Sequence, residues 1–75
     1  MMGMDEFVPY FYVDGEVVEV LTGFGLAHVR VSEGTVYGIT RHTPGVVFDK
    51  LREGQLIRIQ AEKKFSRVVS AELIG

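Results

Sequence analysis

Along this chain apolar and polar residues alternate in short runs, and no long stretch spaces its apolar residues as an amphipathic helix would. A period of two specifies strands, whose successive side chains point to opposite faces. Gly23-Phe24-Gly25-Leu26-Ala27-His28-Val29-Arg30-Val31 shows the pattern most fully. Ala27, Val29 and Val31 point one way, while Phe24, Leu26, His28 and Arg30 point the other. A strand built this way buries an aliphatic face and offers a ring, an imidazole and a guanidinium to solvent.

Four further runs have the same character. Glu16 to Leu21 follows Gly15, is closed by Thr22-Gly23, and predicts the first strand; Gly23 to Val31 is the second. Ser32-Glu33-Gly34 is a turn, and Thr35 to Thr40 is the third strand, with Tyr37 and Ile39 on the face opposite Val36 and Thr40. A longer connection runs from Arg41 to Gly54, bent at Thr43-Pro44-Gly45 and holding one helical turn over Asp49 to Glu53. Gln55 to Ala61 is the fourth strand, with Ile57, Ile59 and Ala61 inward and Leu56, Arg58 and Gln60 outward. After the charged turn Glu62-Lys63-Lys64, Phe65 to Ile74 is the fifth. Five short strands between residues 15 and 74 predict an all-β fold that closes into a small barrel, which removes exposed edges.

The 75 residues suffice for one domain, and 47% hydrophobic content supplies its core. With no cysteine, packing and backbone pairing alone must stabilise it. Residues 15 to 75 are expected to form the barrel and residues 1 to 14 an aromatic extension, since Phe7-Val8-Pro9-Tyr10-Phe11-Tyr12-Val13 is rich in rings that need cover. That segment is expected to pack on the barrel, extend a strand, or dock a protein partner or a second copy. The acidic start and the lack of a membrane-length apolar run predict a cytoplasmic protein without a membrane partner.

Charge narrows the function. The net charge is -2, with five acids and no Lys or Arg in residues 1 to 29, against eight bases and five acids in residues 30 to 75. Dense coating of nucleic acid is disfavoured by that balance. No phosphate-binding loop, zinc site or nucleophile setting is present, so the expectation is a non-enzyme without cofactor. His28 and His42 are isolated from carboxylates at ligand spacing and read as surface residues; Gly23 and Gly25 read as a turn and bulge.

The order of these motifs resembles the cold-shock domain, a five-stranded OB-fold barrel that binds single-stranded RNA and DNA. Gly23-Phe24-Gly25-Leu26-Ala27 falls where that family has Gly-Phe-Gly-Phe-Ile, and Val36-Tyr37-Gly38-Ile39-Thr40 where it has Val-Phe-Val-His-Phe. Phe48, Leu51, Gly54 and Gln55 continue the register. The resemblance implies base stacking on Phe24, Tyr37 and Phe48, with stacking or hydrogen bonding by His28 and His42. It implies phosphate contacts from Arg30, Arg41, Arg58 and Lys63, and RNA chaperoning as the outcome. Several family positions have changed: Thr22 replaces a basic residue, Leu26 a ring, and Ile39-Thr40 a His-Phe pair. A weaker platform follows. A second resemblance, to the TRAM domain, rests on Gly23-x-Gly25-Leu26-Ala27-His28-Val29 and on Phe65 to Leu73, and implies another small RNA-binding barrel. The alternative is a barrel that has lost nucleic acid and docks proteins through residues 7 to 13.

Overall fold

The computed structural model describes residues 9 to 75. Its strands are β1 (Tyr10–Leu21), β2 (Leu26–Val31), β3 (Val36–Thr40), β4 (Leu56–Glu62) and β5 (Val68–Leu73). All pair antiparallel in one sheet of order β3-β2-β1-β4-β5. The sheet curls until its outer strands, β3 and β5, touch without forming a ladder, giving an all-β, OB-like half-barrel.

β1 makes the curl. From Tyr10 to Glu16 it pairs with β4, and from Gly15 to Leu21 with β2, so both neighbours meet it at Gly15 and Glu16. At Gly15 an added Cβ would fall 2.8 Å from the Arg30 carbonyl oxygen and 2.8 Å from Val29 Cγ1. The close passage of β2 therefore requires glycine. Gly15→Ala is expected to destabilise the fold by about 1–3 kcal/mol, the cost of overpacking a filled site. A urea melt checks this, and an unshifted midpoint would mean that β2 yields without cost.

Tyr10 to Asp14, assigned to the aromatic extension, are the first half of β1, so this part of the segment extends a strand, one of the arrangements expected for it. Gly15 thus lies within a strand and is not its start. Phe7 and Val8 lie outside the described residues.

Alternation fills the interior as expected on β2 and β4: Ala27, Val29, Val31, Ile57, Ile59 and Ala61 are buried, while Arg30, Leu56 and Arg58 are exposed. Phe48 and Leu51 join this core from the β3–β4 connection, whose helical turn spans Phe48–Lys50 and not Asp49 to Glu53. The same connection covers the seam that no ladder closes. The Ala71 N–H donates to the Pro44 carbonyl (3.0 Å). Gly45 has φ +91° there, and a Cβ at this position would run into the Ala71 carbonyl oxygen. A loop thus does part of what the expected strand closure would have done.

β5 begins at Val68 and not at Phe65. Ser66 takes φ 53°, and its N–H donates to the Glu62 carbonyl, so the chain turns where a strand was expected. Among the described residues, no helix is long and apolar enough to cross a membrane.

Candidate nucleic-acid interface

Of the three aromatic rings expected to stack bases, two are interior. Tyr37 is 6% exposed and Phe48 5%. The Tyr37 ring packs edge-on against Phe11 at 6.4 Å. The Phe48 ring carries the Arg41 guanidinium at 4.9 Å. Tyr37 lies on the inward face of β3 with Ile39, so it shares no surface with Phe24. Neither ring offers a face to a base, which corrects the expectation for both.

Cross-strand contacts take up Arg58 and His28 of the expected site. The register puts Asp14 opposite Arg58, Glu16 opposite Arg30, and Glu19 opposite His28. Arg58 donates from Nε and an Nη to the two Asp14 carboxylate oxygens at 2.7 and 3.2 Å. That hydrogen bonding, aided by the opposite charge, holds the Asp14 carboxyl below its ordinary range and raises Arg58 above its own. His28 Nδ1 lies 2.9 Å from a Glu19 oxygen. The acids of the N-terminal half thus face bases assigned to phosphates, and the outer surface of β1, β2 and β4 is electrostatically mixed. Arg30 is exposed and makes no ion pair among the described residues.

Arg41 acts as a clamp. It donates to Asp49 Oδ1 (3.1 Å) and to the Thr22 carbonyl (2.8 Å), tying the β3–β4 connection to the β1–β2 loop. Gly25, at φ +63°, leaves room for the Arg41 side chain, which an added Cβ would meet at 2.8 Å.

What remains available gathers on two loops. In the β1–β2 loop, the 3-10 turn Thr22–Phe24 is closed by the Gly25 N–H donating to the Thr22 carbonyl. This turn leaves Phe24 83% exposed. Phe24, Leu26, Thr40, Arg41 and His42 line an open groove there, so Phe24, Arg41 and His42 of the expected site do come together. The β4–β5 loop holds Lys63, Lys64, Phe65, Ser66 and Arg67, with Phe65 70% exposed and the Lys64 ammonium 5.6 Å from its ring centre. Arg67 pairs with Glu62 at 3.0 Å, whereas Lys63 and Lys64 make no ion pair among the described residues. Lys63 belonged to the expected site; Phe65 and Lys64 did not. Their signal was the basic run with an aromatic inside it, Lys63-Lys64-Phe65-Ser66-Arg67.

The two loops flank opposite ends of β1, because Leu21 leads into the first and Tyr10 pairs with Glu62 beside the second. An exposed ring beside cationic groups is suited to stacking a base while neutralising its phosphate. The chain matches no protein-family model, no curated protein and no solved structure.

Proposed function

We propose that this protein binds single-stranded nucleic acid, RNA in preference to DNA, by stacking bases on Phe24 and Phe65 and neutralising phosphates with Lys63 and Lys64. The observation that carries the reading is the placement of one exposed phenylalanine on each of the β1–β2 and β4–β5 loops. Oligonucleotides bind OB barrels at these two loops and at the face of strands two and three. The resemblance to the cold-shock domain favours RNA. Stacking is sequence-tolerant because every base has an apolar face, so little sequence preference is expected.

Fluorescence anisotropy with a labelled single-stranded RNA tests this, using an oligonucleotide longer than the roughly 4–16 nucleotides that one OB barrel occupies. Saturable binding at low salt, weaker for the matching duplex, is the expected result. No binding at low salt would overturn the proposal. The salt dependence is a separate prediction. Two phosphate-facing lysines give a slope of log affinity against log salt of about -1.4, at roughly -0.7 per contact on a single strand. A slope several times steeper would require more cations than these loops present.

A further inference from the structure

Among the described residues, the N-terminal half of β1 has an unused side. β2 pairs with β1 only between Gly15 and Leu21, whereas β4 pairs with it from Tyr10. Tyr10 to Asp14 therefore have a strand neighbour on one side only among the described residues. The direction of their backbone groups follows from the flanking bonds. The Pro9 carbonyl accepts from the Lys63 N–H, the Val17 N–H donates to the Gln55 carbonyl, and the Val17 carbonyl accepts from the Gly54 N–H. Odd-numbered residues from 9 to 17 thus aim at β4. Strand alternation turns the N–H and C=O of Tyr10, Tyr12 and Asp14 to the opposite, unpaired side.

We propose that this edge pairs with the same edge of a second copy of the chain, antiparallel about a two-fold axis at Tyr12. In that register each Tyr12 faces its counterpart, Tyr10 faces Asp14, and Phe11 faces Val13. Two backbone hydrogen bonds form at the axis and two more at each flanking Tyr10–Asp14 pair.

The chemistry is self-complementary. Tyr10-Phe11-Tyr12-Val13 carries no charge, and Asp14, already held by Arg58, comes to lie beside a neutral tyrosine. Phe11 and Val13, half-buried against the core, continue their apolar face into the partner's Val13 and Phe11. Tyr12, 68% exposed, gains an aromatic neighbour across the axis. Each ladder ends before it reaches Gly15, where Val31 already occupies the edge. Edge strands are ordinarily blunted by lysine, proline, a bulge or a covering loop, and the β5 edge has such a loop at Pro44. Tyr10 to Val13 contain no lysine, proline or bulge.

Sedimentation velocity on the full chain, without nucleic acid and over a concentration series reaching the millimolar range, tests the pairing. The wild type is expected to show a monomer–dimer equilibrium. Tyr12→Lys and Tyr12→Glu are each expected to be monomeric, since like charges would meet on the axis, and their equimolar mixture to regain the dimer. Tyr12→Pro removes an N–H aimed away from β4 and leaves the ladder bonds of Phe11 and Val13, so it is expected to be a folded monomer by circular dichroism. A wild type monomeric throughout, Tyr12→Lys dimerising as well as the wild type, or a charge-swapped mixture that stays monomeric would each overturn the proposal. If Tyr12→Pro does not fold, the charge pair alone decides.

Discussion

Tyr37→Ala is expected to lower stability by about 3–5 kcal/mol, the range for removing a large aromatic from a packed interior. The ring is 6% exposed and meets Phe11 edge-on at 6.4 Å, so its loss opens a cavity between β3 and the first half of β1. A 75-residue domain holds in total about 4–11 kcal/mol, at roughly 0.05–0.15 kcal/mol per residue. The variant is therefore marginal or unfolded at room temperature. Thermal denaturation followed by circular dichroism decides it, because each kcal/mol moves Tm by about 4–8 °C in a domain this small. A variant that melts with the wild type would show that Tyr37 is a surface ring. Its effect on oligonucleotide binding would then have to be reopened.

Tyr37 also shows how much of this molecule its sequence discloses. Within Val36-Tyr37-Gly38-Ile39-Thr40, Tyr37 has the same parity as Ile39, and burying one on a regular strand buries the other. Local alternation was therefore sufficient to place the ring inside; the cold-shock register had placed it outside. On β2 and β4 the same alternation identified the buried and exposed faces without help from neighbours. Arg58 is different. Its exposure was legible, but its neutralisation by Asp14 depends on a pairing between residues 44 apart in the chain, which no local pattern encodes. The length of β1 was hidden for a related reason. Gly15 reads as a strand boundary, yet it lies inside β1 where both neighbouring strands pair with it and β2 passes too close for a Cβ. Phe65 was misplaced by a single backbone feature, the positive φ of Ser66, which turns an apparent strand into an exposed loop.

Phe24→Ala and Phe65→Ala are each expected to weaken binding to single-stranded RNA while leaving the fold intact. Both rings project into solvent, at 83% and 70% exposure, and substitutions at such positions ordinarily change stability by no more than about 0.5 kcal/mol. A stacked base contributes about 1–3 kcal/mol, so each truncation should raise Kd roughly 5- to 150-fold. The rings share no partner and lie on loops at opposite ends of β1, so the losses should add in the double variant. Its residual affinity should be almost purely electrostatic, with the salt slope of the wild type, because Lys63 and Lys64 remain. Anisotropy titrations of the four proteins against one RNA, alongside their melting curves, give both quantities. If both single variants keep wild-type affinity and wild-type melting, the rings are not stacking platforms and nucleic-acid binding at these loops is wrong. If only one variant weakens, contact is confined to that loop. The proposed grip at both ends of β1 is then lost even though RNA still binds.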